Sequence, residues 1–459
     1  MMNKKNICII GAGIGGLTAG ALLLKQGYSV DIFEKEQTVG GRALSLDMSA
    51  QTIDSYKQTL AKFNTAIVFS EPPLEELFRK KMFEGYTLDL GFHMIGSGIV
   101  VKLRNILVEY FENITMYKSR LYEQKNDHFG YFATTANKIA MLPNIVRLLL
   151  SSEKTMNELD TVPMTETIKK YGKGKMRIVL EVNSRLISTI NNLNLISTGE
   201  VFRTQKDMRL GGVNYPKDGL LKISQIIAEY IEKNGGIIHL NSPVSKILIK
   251  NKKAEGIVVA DKEYLFDVVI SDILVQNLFT IADEHQFPKE YVTTLKALEG
   301  TGSLCAYYSL KQIDQHLLGK SFIFIERNIG VDGNDAVGMI DFITAKPETG
   351  LSPPSQYLVQ SYIICTPKEA RDKKVLYKLK EALDKNLERI IPQYRSQLRW
   401  AIYPSIWHLD GVAKTLMNAK PDIQTPVENL YLIGDCVKAP GIGFNCAINS
   451  ARIIQEMLI

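Results

Sequence analysis

The first residues able to do chemistry are glycines at a fixed spacing near the start of the chain. Gly11, Gly13 and Gly16 fit the pattern G-x-G-x-x-G directly after an apolar run, with Ile14 and Gly15 in the same turn. The glycines allow a tight turn, the approach of a diphosphate to the backbone, and close packing of the next helix. The first N–H groups of that helix would face the phosphates. The pattern predicts a dinucleotide site.

A carboxylate and a guanidinium follow at positions that suit the same ligand. Glu34, with Lys35 beside it, comes directly after the second predicted strand, Tyr28 to Phe33. A carboxylate at this place accepts hydrogen bonds from a ribose diol. Gly41 and Arg42 follow in a glycine turn, and a planar guanidinium pairs well with a diphosphate.

Two later stretches predict elements that complete the sheet behind these residues. Leu220 to Lys233 has apolar residues at helical spacing and is followed by short strands up to Val268–Ser271. Asn429 to Ile433 reads as a buried strand that ends in Gly434 and Asp435, before a helix from about Phe444 to Leu458. Both stretches would bring the chain back to the first sheet.

These blocks together resemble the flavin amine oxidase and phytoene desaturase superfamily. The matching residues are E-K-E-Q-T-V-G-G-R from Glu34, the helix that begins near Leu220, and the Gly434-Asp435 ending. The resemblance implies FAD as cofactor. It also implies an α/β fold, with a Rossmann-type FAD-binding domain (glutathione reductase-like) and a discontinuous α+β substrate domain built on an antiparallel sheet.

The resemblance also implies roles for individual residues. The backbone of Val244 would lie against the adenine, and Asp435 would bind the ribityl or phosphate region. The last helix, with Gly443 and Phe444 at its start, would point at the pyrimidine edge of the flavin, where negative charge collects on reduction. His93, in Asp89-x-Gly91-x-His93, would lie near the isoalloxazine ring.

His93 is the predicted catalytic residue, acting by hydrogen bonding or proton transfer. A packed structural histidine is the alternative. The six histidines of the chain form no evident triad or metal cluster, so the flavin would carry the reaction. Tyr403, Trp407 and His408 either wall the substrate or pack in the core.

The predicted domains alternate along the chain. The FAD-binding domain comprises 1–99, with an insertion at 49–83, and the later parts 211–275 and 421–459. The substrate domain comprises 100–210 and 276–420. We interpret the insertion either as a surface flap or as a functional segment, which would cover the active site or contact a membrane or a partner. The apolar segment 137–150 is expected to belong to the core. The alternative is that it lines a substrate tunnel or contacts a membrane.

Composition excludes several classes of protein. The net charge of +6 comes without a basic block, which argues against nucleic acid as a partner. Five scattered cysteines indicate a reducing compartment and no disulfide framework. The apolar run 7–24 is broken by glycines, so we read it as part of the fold rather than a signal or membrane span. We therefore expect a cytoplasmic protein, with peripheral membrane contact as an alternative.

The predicted function is hydride transfer between a carbon of a hydrophobic, isoprenoid or carotenoid-like lipid and the flavin, as a desaturase or saturase of C–C bonds. An amine oxidase acting on a C–N bond is one alternative, and a non-enzymatic FAD-binding subunit is another. The chain departs from the carotenoid enzymes because it lacks their H-P-G-A-G-x-P-G ending, having Lys438 to Phe444 instead. The sequence names no electron donor or acceptor.

Overall fold

A computed structural model gives the fold over most of the chain. The described residues are 5–91, 95–106, 115–118, 120–125, 128–131, 143, 146–147, 150–207, 213–416 and 420–459. The predicted catalytic residue His93 lies outside them, as do Gly211, Gly212 and most of the segment 137–150. The predictions for these residues stay predictions.

The strands are numbered in chain order. They are β1 (Asn6–Ile10), β2 (Ser29–Phe33), β3 (Ser45–Asp47), β4 (Thr65–Glu71), β5 (Thr87–Asp89), β6 (Ile95–Gly96), β7 (Met116–Lys118), β8 (Arg120–Lys125), β9 (His128–Tyr131), β10 (Val213–Pro216), β11 (Ile237–His239), β12 (Val244–Lys250), β13 (Lys253–Val259), β14 (Lys262–Leu265), β15 (Val268–Ser271), β16 (Gly302–Leu310), β17 (Lys320–Glu326), β18 (Ala336–Asp341), β19 (Tyr357–Cys365), β20 (Leu398–Ile406) and β21 (Leu430–Leu432).

The α-helices lie mostly between these strands. They are Ile14–Lys25, Ile53–Lys62, Leu74–Arg79, Ser97–Ile106, Glu153–Glu158, Met164–Tyr171, Lys175–Ser188, Thr198–Asp207, Leu221–Lys233, Lys289–Ala297, Lys373–Ile390, Tyr394–Gln397 and Gly443–Met457. No helix among the described residues is long and apolar enough to cross a bilayer.

A five-stranded parallel sheet forms the first layer, in the order β11-β2-β1-β15-β21. Parallel strands are covered on both faces and therefore read as continuous apolar runs. β15 fits this rule, since all four of its residues are buried. Helix Ile14–Lys25 packs against helices Leu221–Lys233 and Gly443–Met457. The two later stretches thus return to the first sheet, and the predicted Rossmann-type fold is confirmed.

The second large sheet has eight strands in the order β4-β20-β16-β19-β18-β17-β8-β9. Its pairs are antiparallel except for β17 with β8, so the sheet is mixed at one edge. The sequence predicts strands at 303–310, 322–326, 336–342 and 357–365, and the structure confirms them as β16 to β19. It also predicts an amphipathic helix from Lys374 to Ile391, and the structure places this helix at Lys373–Ile390, where it covers the sheet.

The segment 49–83 is not a separate surface flap, since part of it joins the eight-stranded sheet and Lys62, Phe63 and Asn64 line the site described below. Its strand β4 pairs with β20 and forms an edge of the eight-stranded sheet. Its helix Ile53–Lys62 begins at Thr52, whose side chain accepts a hydrogen bond from the Ser55 N–H in a capping box. Pairing of β4 with a strand over 300 residues away could not be read from a local pattern. The remaining strands form a β12-β13-β14 meander and two small sheets.

Candidate functional site

A cleft of about 590 Å³ opens where the parallel strands end. The carboxyl ends of β1, β2, β15 and β21 meet there, as ligand sites in open α/β sheets do. It is lined by every predicted cofactor-binding residue except Gly16, which lies in the first turn of the adjoining helix. The predicted residues that line it are Gly11, Gly13, Ile14, Gly15, Glu34, Lys35, Gly41, Arg42, Val244, Gly434, Asp435, Gly443 and Phe444.

The floor of the cleft is bare backbone. Gly11 has φ +105°, a conformation that other residues rarely adopt, and this lets the chain turn sharply off β1. A Cβ added to Gly16 would lie 2.1 Å from the Gly11 carbonyl oxygen, so only glycine lets the helix approach the turn. These two positions explain the glycine spacing predicted from the sequence.

Glu34 is held in place at the end of β2. One carboxylate oxygen accepts a hydrogen bond from the Ala12 N–H at 2.7 Å, and the other accepts from the Glu36 N–H at 3.0 Å. The side chain is almost fully buried and lines the cleft. Each oxygen still has a free lone pair, which a ribose hydroxyl could use.

Arg42 and Asp435, predicted at different parts of the cofactor, are paired with each other. The Arg42 Nη2 lies 2.5 Å from the Asp435 Oδ1. The Gly411 N–H donates to the other carboxylate oxygen of Asp435 at 2.9 Å. Burial opposes the ionisation of Asp435, but Arg42 and then Lys420 outweigh it and hold the pKa of Asp435 well below its usual range. This pair links the glycine turn to the last strand.

A second acid and a lysine extend this buried cluster. The Lys420 Nζ lies 3.6 Å from the Asp410 Oδ2, with both side chains 3% exposed. The other oxygen of Asp410 accepts the N–H of Gly443 at 3.1 Å, so Asp410 caps helix Gly443–Met457. Burial raises the pKa of Asp410, Lys420 opposes the rise, and Asp435 adds to it. Sequence analysis missed both residues, since each lies in a loop without a motif.

Asp272 is the third residue that sequence analysis missed. It follows β15 directly, and its carboxylate accepts the Gly16 N–H at 2.7 Å. Burial raises the pKa of Asp272 to about 7, against the effect of that hydrogen bond; Asp435 adds to the rise and Arg42 opposes it. The signal that located Glu34, an acid at the end of a parallel strand, also marks Asp272.

The three aromatic residues upstream of the last strand lie in different places. Tyr403 is fully buried and donates to Asp384 at 2.6 Å, so the core reading is confirmed for it. The Trp407 indole N–H donates to the Asn64 Oδ1 at 3.2 Å. His408 offers its carbonyl to Arg42 at 3.4 Å. Neither Trp407 nor His408 lines the cleft.

Two further observations limit the chemistry of the described residues. The five cysteines are all buried and none is in a disulfide. No group of three metal-ligating side chains occurs among the residues that the structure describes. Cys436 lines the cleft, and burial keeps the pKa of its thiol well above the usual value.

Comparisons with known proteins agree with this geometry. Residues 9–80 match a family model described as an NAD(P)-binding Rossmann-like domain. A 4,4'-diapophytoene desaturase from Methylomonas is 27% identical over 56% of the chain and 51% of that enzyme. A 1-hydroxycarotenoid 3,4-desaturase from Flavobacterium is 24% identical over 99% of both chains. The resemblance to the phytoene desaturase superfamily is confirmed.

Solved structures extend the agreement in fold to almost the whole chain. An oxidoreductase from Methanosarcina mazei superposes with a TM-score of 0.70 at 20% identity, covering 98% of this chain and 100% of that one. At this identity the likeness concerns the fold alone. Together with Gly11, Gly13 and Gly15, whose bare backbone lines the cleft, the comparisons support an FAD-dependent oxidoreductase.

Proposed function

We propose that the chain is a desaturase or saturase of C–C bonds in an isoprenoid or carotenoid-like lipid. The alignment with the 1-hydroxycarotenoid 3,4-desaturase carries this proposal, because it spans 99% of both chains. The likeness therefore extends beyond the cofactor cleft into the chain around the eight-stranded sheet. The alignment with the 4,4'-diapophytoene desaturase covers about half of that enzyme, so it supports the proposal less broadly.

FAD supplies the two-electron chemistry, accepting a hydride from carbon or returning it. The residues of the cleft bind and orient it. Glu34 accepts hydrogen bonds from the ribose, because two backbone N–H groups already fix the carboxylate. Val244, at the start of β12 and on the cleft wall, places its backbone against the adenine.

The opposite end of the cleft serves the flavin ring. Gly443 and Phe444 start the last helix there, with its positive dipole end toward the cleft. Arg42, kept in place by Asp435, turns its remaining donors to the diphosphate. His93 remains the proposed catalytic residue, which hydrogen-bonds the flavin or substrate or moves a proton. The proposed division into domains follows the boundaries predicted above, with β4 as an added edge strand of the second sheet.

The cleft walls are partly apolar, as a hydrophobic substrate next to the flavin would require. Leu274, Leu409 and Ile433 line it together with Phe444. The substrate would come from a membrane, so peripheral membrane contact is part of the proposal. The proposal does not include the identity of the electron donor or acceptor.

Anaerobic flavin spectroscopy tests the proposal. We expect C30 or C40 isoprenoids in detergent micelles to bleach the oxidised flavin, or such polyenes to reoxidise the dithionite-reduced flavin. Bleaching by amines alone would contradict the proposal in favour of C–N oxidation. No reaction in either direction would favour a non-enzymatic FAD-binding subunit.

Two histidine variants, one at the proposed catalytic residue and one at a control position, test the role of His93. We expect His93→Ala to slow flavin bleaching at least tenfold while FAD stays bound, since general acid–base groups contribute about 10²–10⁴-fold. His316→Ala is the matched control, because its side chain is 58% exposed and away from the cleft. Equal rates in the two variants would assign His93 to packing.

A further inference from the structure

The carboxyl group of Asp272 lies against the glycine turn, next to the part of the cleft that is suited to a diphosphate. Its Oδ2 accepts the Gly16 N–H at 2.7 Å, in the first turn of helix Ile14–Lys25. A Cβ on Gly13 would lie 2.9 Å from one carboxyl oxygen, and a Cβ on Gly15 or Gly434 would lie 2.5 Å from the other. The carboxyl group therefore rests directly on the bare faces of three glycines.

An ionised Asp272 and a diphosphate beside it both accept from the N–H groups of the glycine turn, so they compete for the same donors. Both are anions, and like charges at contact distance repel strongly in a buried site. Glu34 from the end of β2 and Asp435 from the end of β21 also face Asp272 with negative charge. Arg42 is the cation that acts on Asp272, and it is already paired with Asp435.

The rim of the cleft adds two lysines. Lys35 and Lys62 line it, and Lys62 lies 2.6 Å from Glu36. Both side chains are more than half exposed, so solvent and salt screen their charges. They attract the cofactor to the cleft but do not neutralise a carboxylate on its floor.

We propose that Asp272 is a proton-dependent FAD ligand: its neutral form donates a hydrogen bond to the diphosphate, and its ionised form excludes it. Each FAD that binds above the titration range of Asp272 then takes up one proton. The proposal rests on FAD binding alone and not on the identity of the lipid substrate.

The titration range is set by the surroundings of Asp272. Burial, opposed by the Gly16 hydrogen bond and reinforced by Asp435, raises the pKa of Asp272 to about 7 in the cofactor-free protein. Below that pH the neutral form is already present and FAD affinity is constant. Above it the proton must be taken from solvent, so the apparent Kd rises toward tenfold per pH unit.

Equilibrium titration of the flavin-stripped full chain tests this directly. Quenching of FAD fluorescence would give the Kd from pH 5.5 to 8.5, a range in which the diphosphate itself does not titrate. We expect wild-type affinity to fall about tenfold between pH 7.5 and 8.5, and Asp272→Asn to vary less than twofold. At pH 8.5 the variant should bind FAD more tightly than wild type, because its amide donates without repelling.

Asp341→Asn is the matched control. Asp341 is another fully buried carboxyl with a raised pKa, but it lies in β18 and does not line the cleft. We expect this variant to keep the wild-type slope. The same slope in Asp272→Asn would overturn the proposal and assign the pH dependence to another group such as Asp410. No slope in wild type would also overturn it, because FAD binding would then not depend on a proton.

Calorimetry gives a second readout that needs no variant. Measuring the binding enthalpy at pH 8 in two buffers of different ionisation enthalpy counts the protons taken up per FAD. We expect a value near one for wild type. A value near zero would contradict the proposal even where Asp272→Asn fails to fold.

Discussion

Two buried aspartates differ in how many partners their carboxylates have. Asp384 lies behind the eight-stranded sheet, and Asp272 lies in the cleft. Asp384 accepts hydrogen bonds from the hydroxyls of Tyr308 and Tyr403 and pairs with Lys380 and Arg395. The carboxylate of Asp272 accepts a hydrogen bond from the backbone N–H of Gly16. The protein thus completes the environment of one carboxylate and leaves the other for a ligand to complete.

The residue types around the two sites show the same contrast. In β16 all nine residues are buried, and Tyr307 and Tyr308 fill the space beside the sheet. At the ends of β1 and β21, glycines leave that space open. A packed interior tolerates no such opening without a cost in stability, so the open cleft is a site and the filled sheet is a scaffold.

The largest effect that this comparison predicts is on stability. Asp384→Asn should lower the free energy of unfolding by about 3 kcal/mol, because the buried hydroxyls of Tyr308 and Tyr403 lose a charged acceptor and the half-buried Lys380 loses its ion partner. Asp272→Asn should cost less than 1 kcal/mol at pH 8. Urea unfolding followed by circular dichroism measures both values. Equal losses would remove the distinction between scaffold and site.

A smaller effect is expected on cofactor binding. Arg42→Gln should weaken FAD about 30-fold, since hydrogen bonds to charged groups contribute about 1.5–3 kcal/mol, whereas Lys57→Gln should leave the Kd unchanged. Lys57 forms an exposed pair with Glu75 and does not line the cleft. Fluorescence titration at pH 6 gives both constants. An unchanged Kd for Arg42→Gln would place Arg42 in a purely structural pair.

A further effect concerns the pH dependence of stability. Burial raises the pKa of Asp341 to about 8, so the folded state holds a proton that the unfolded state has released. The stability from this group is present at low pH and is lost as pH rises through about 8, at up to about 1.4 kcal/mol per pH unit. Asp341→Asn should therefore gain stability relative to wild type between pH 5 and 8, as measured by urea unfolding. A constant difference would show that Asp341 does not titrate there.

Features that depend on local spacing were predictable from the sequence. The glycine turn, the acid at the end of β2 and strands β16 to β19 each follow from a short pattern and lie where it places them. The Arg42–Asp435 pair and the β4–β20 pairing join residues more than 300 positions apart. Such contacts depend on the packing of the whole chain, and no local pattern encodes them.

Asp272 lies between these two cases. Its position after β15 follows from the strand pattern, because the carboxyl ends of parallel strands meet at one edge of the sheet. That its side chain would rest on Gly13, Gly15 and Gly434 required the assembled cleft. The sequence can therefore predict the position of such an acid, but the contacts of its side chain depend on the folded structure.

The most direct test of the account is a competition between dinucleotides for the cleft. Flavin-stripped protein would be titrated at pH 6 with FAD, NAD and NADP, with Gly13→Val as a variant whose side chain would enter the cleft. We expect FAD to bind at least 100-fold more tightly than either nicotinamide cofactor, and we expect Gly13→Val to abolish this binding. Tighter binding of NAD or NADP than of FAD would contradict the account.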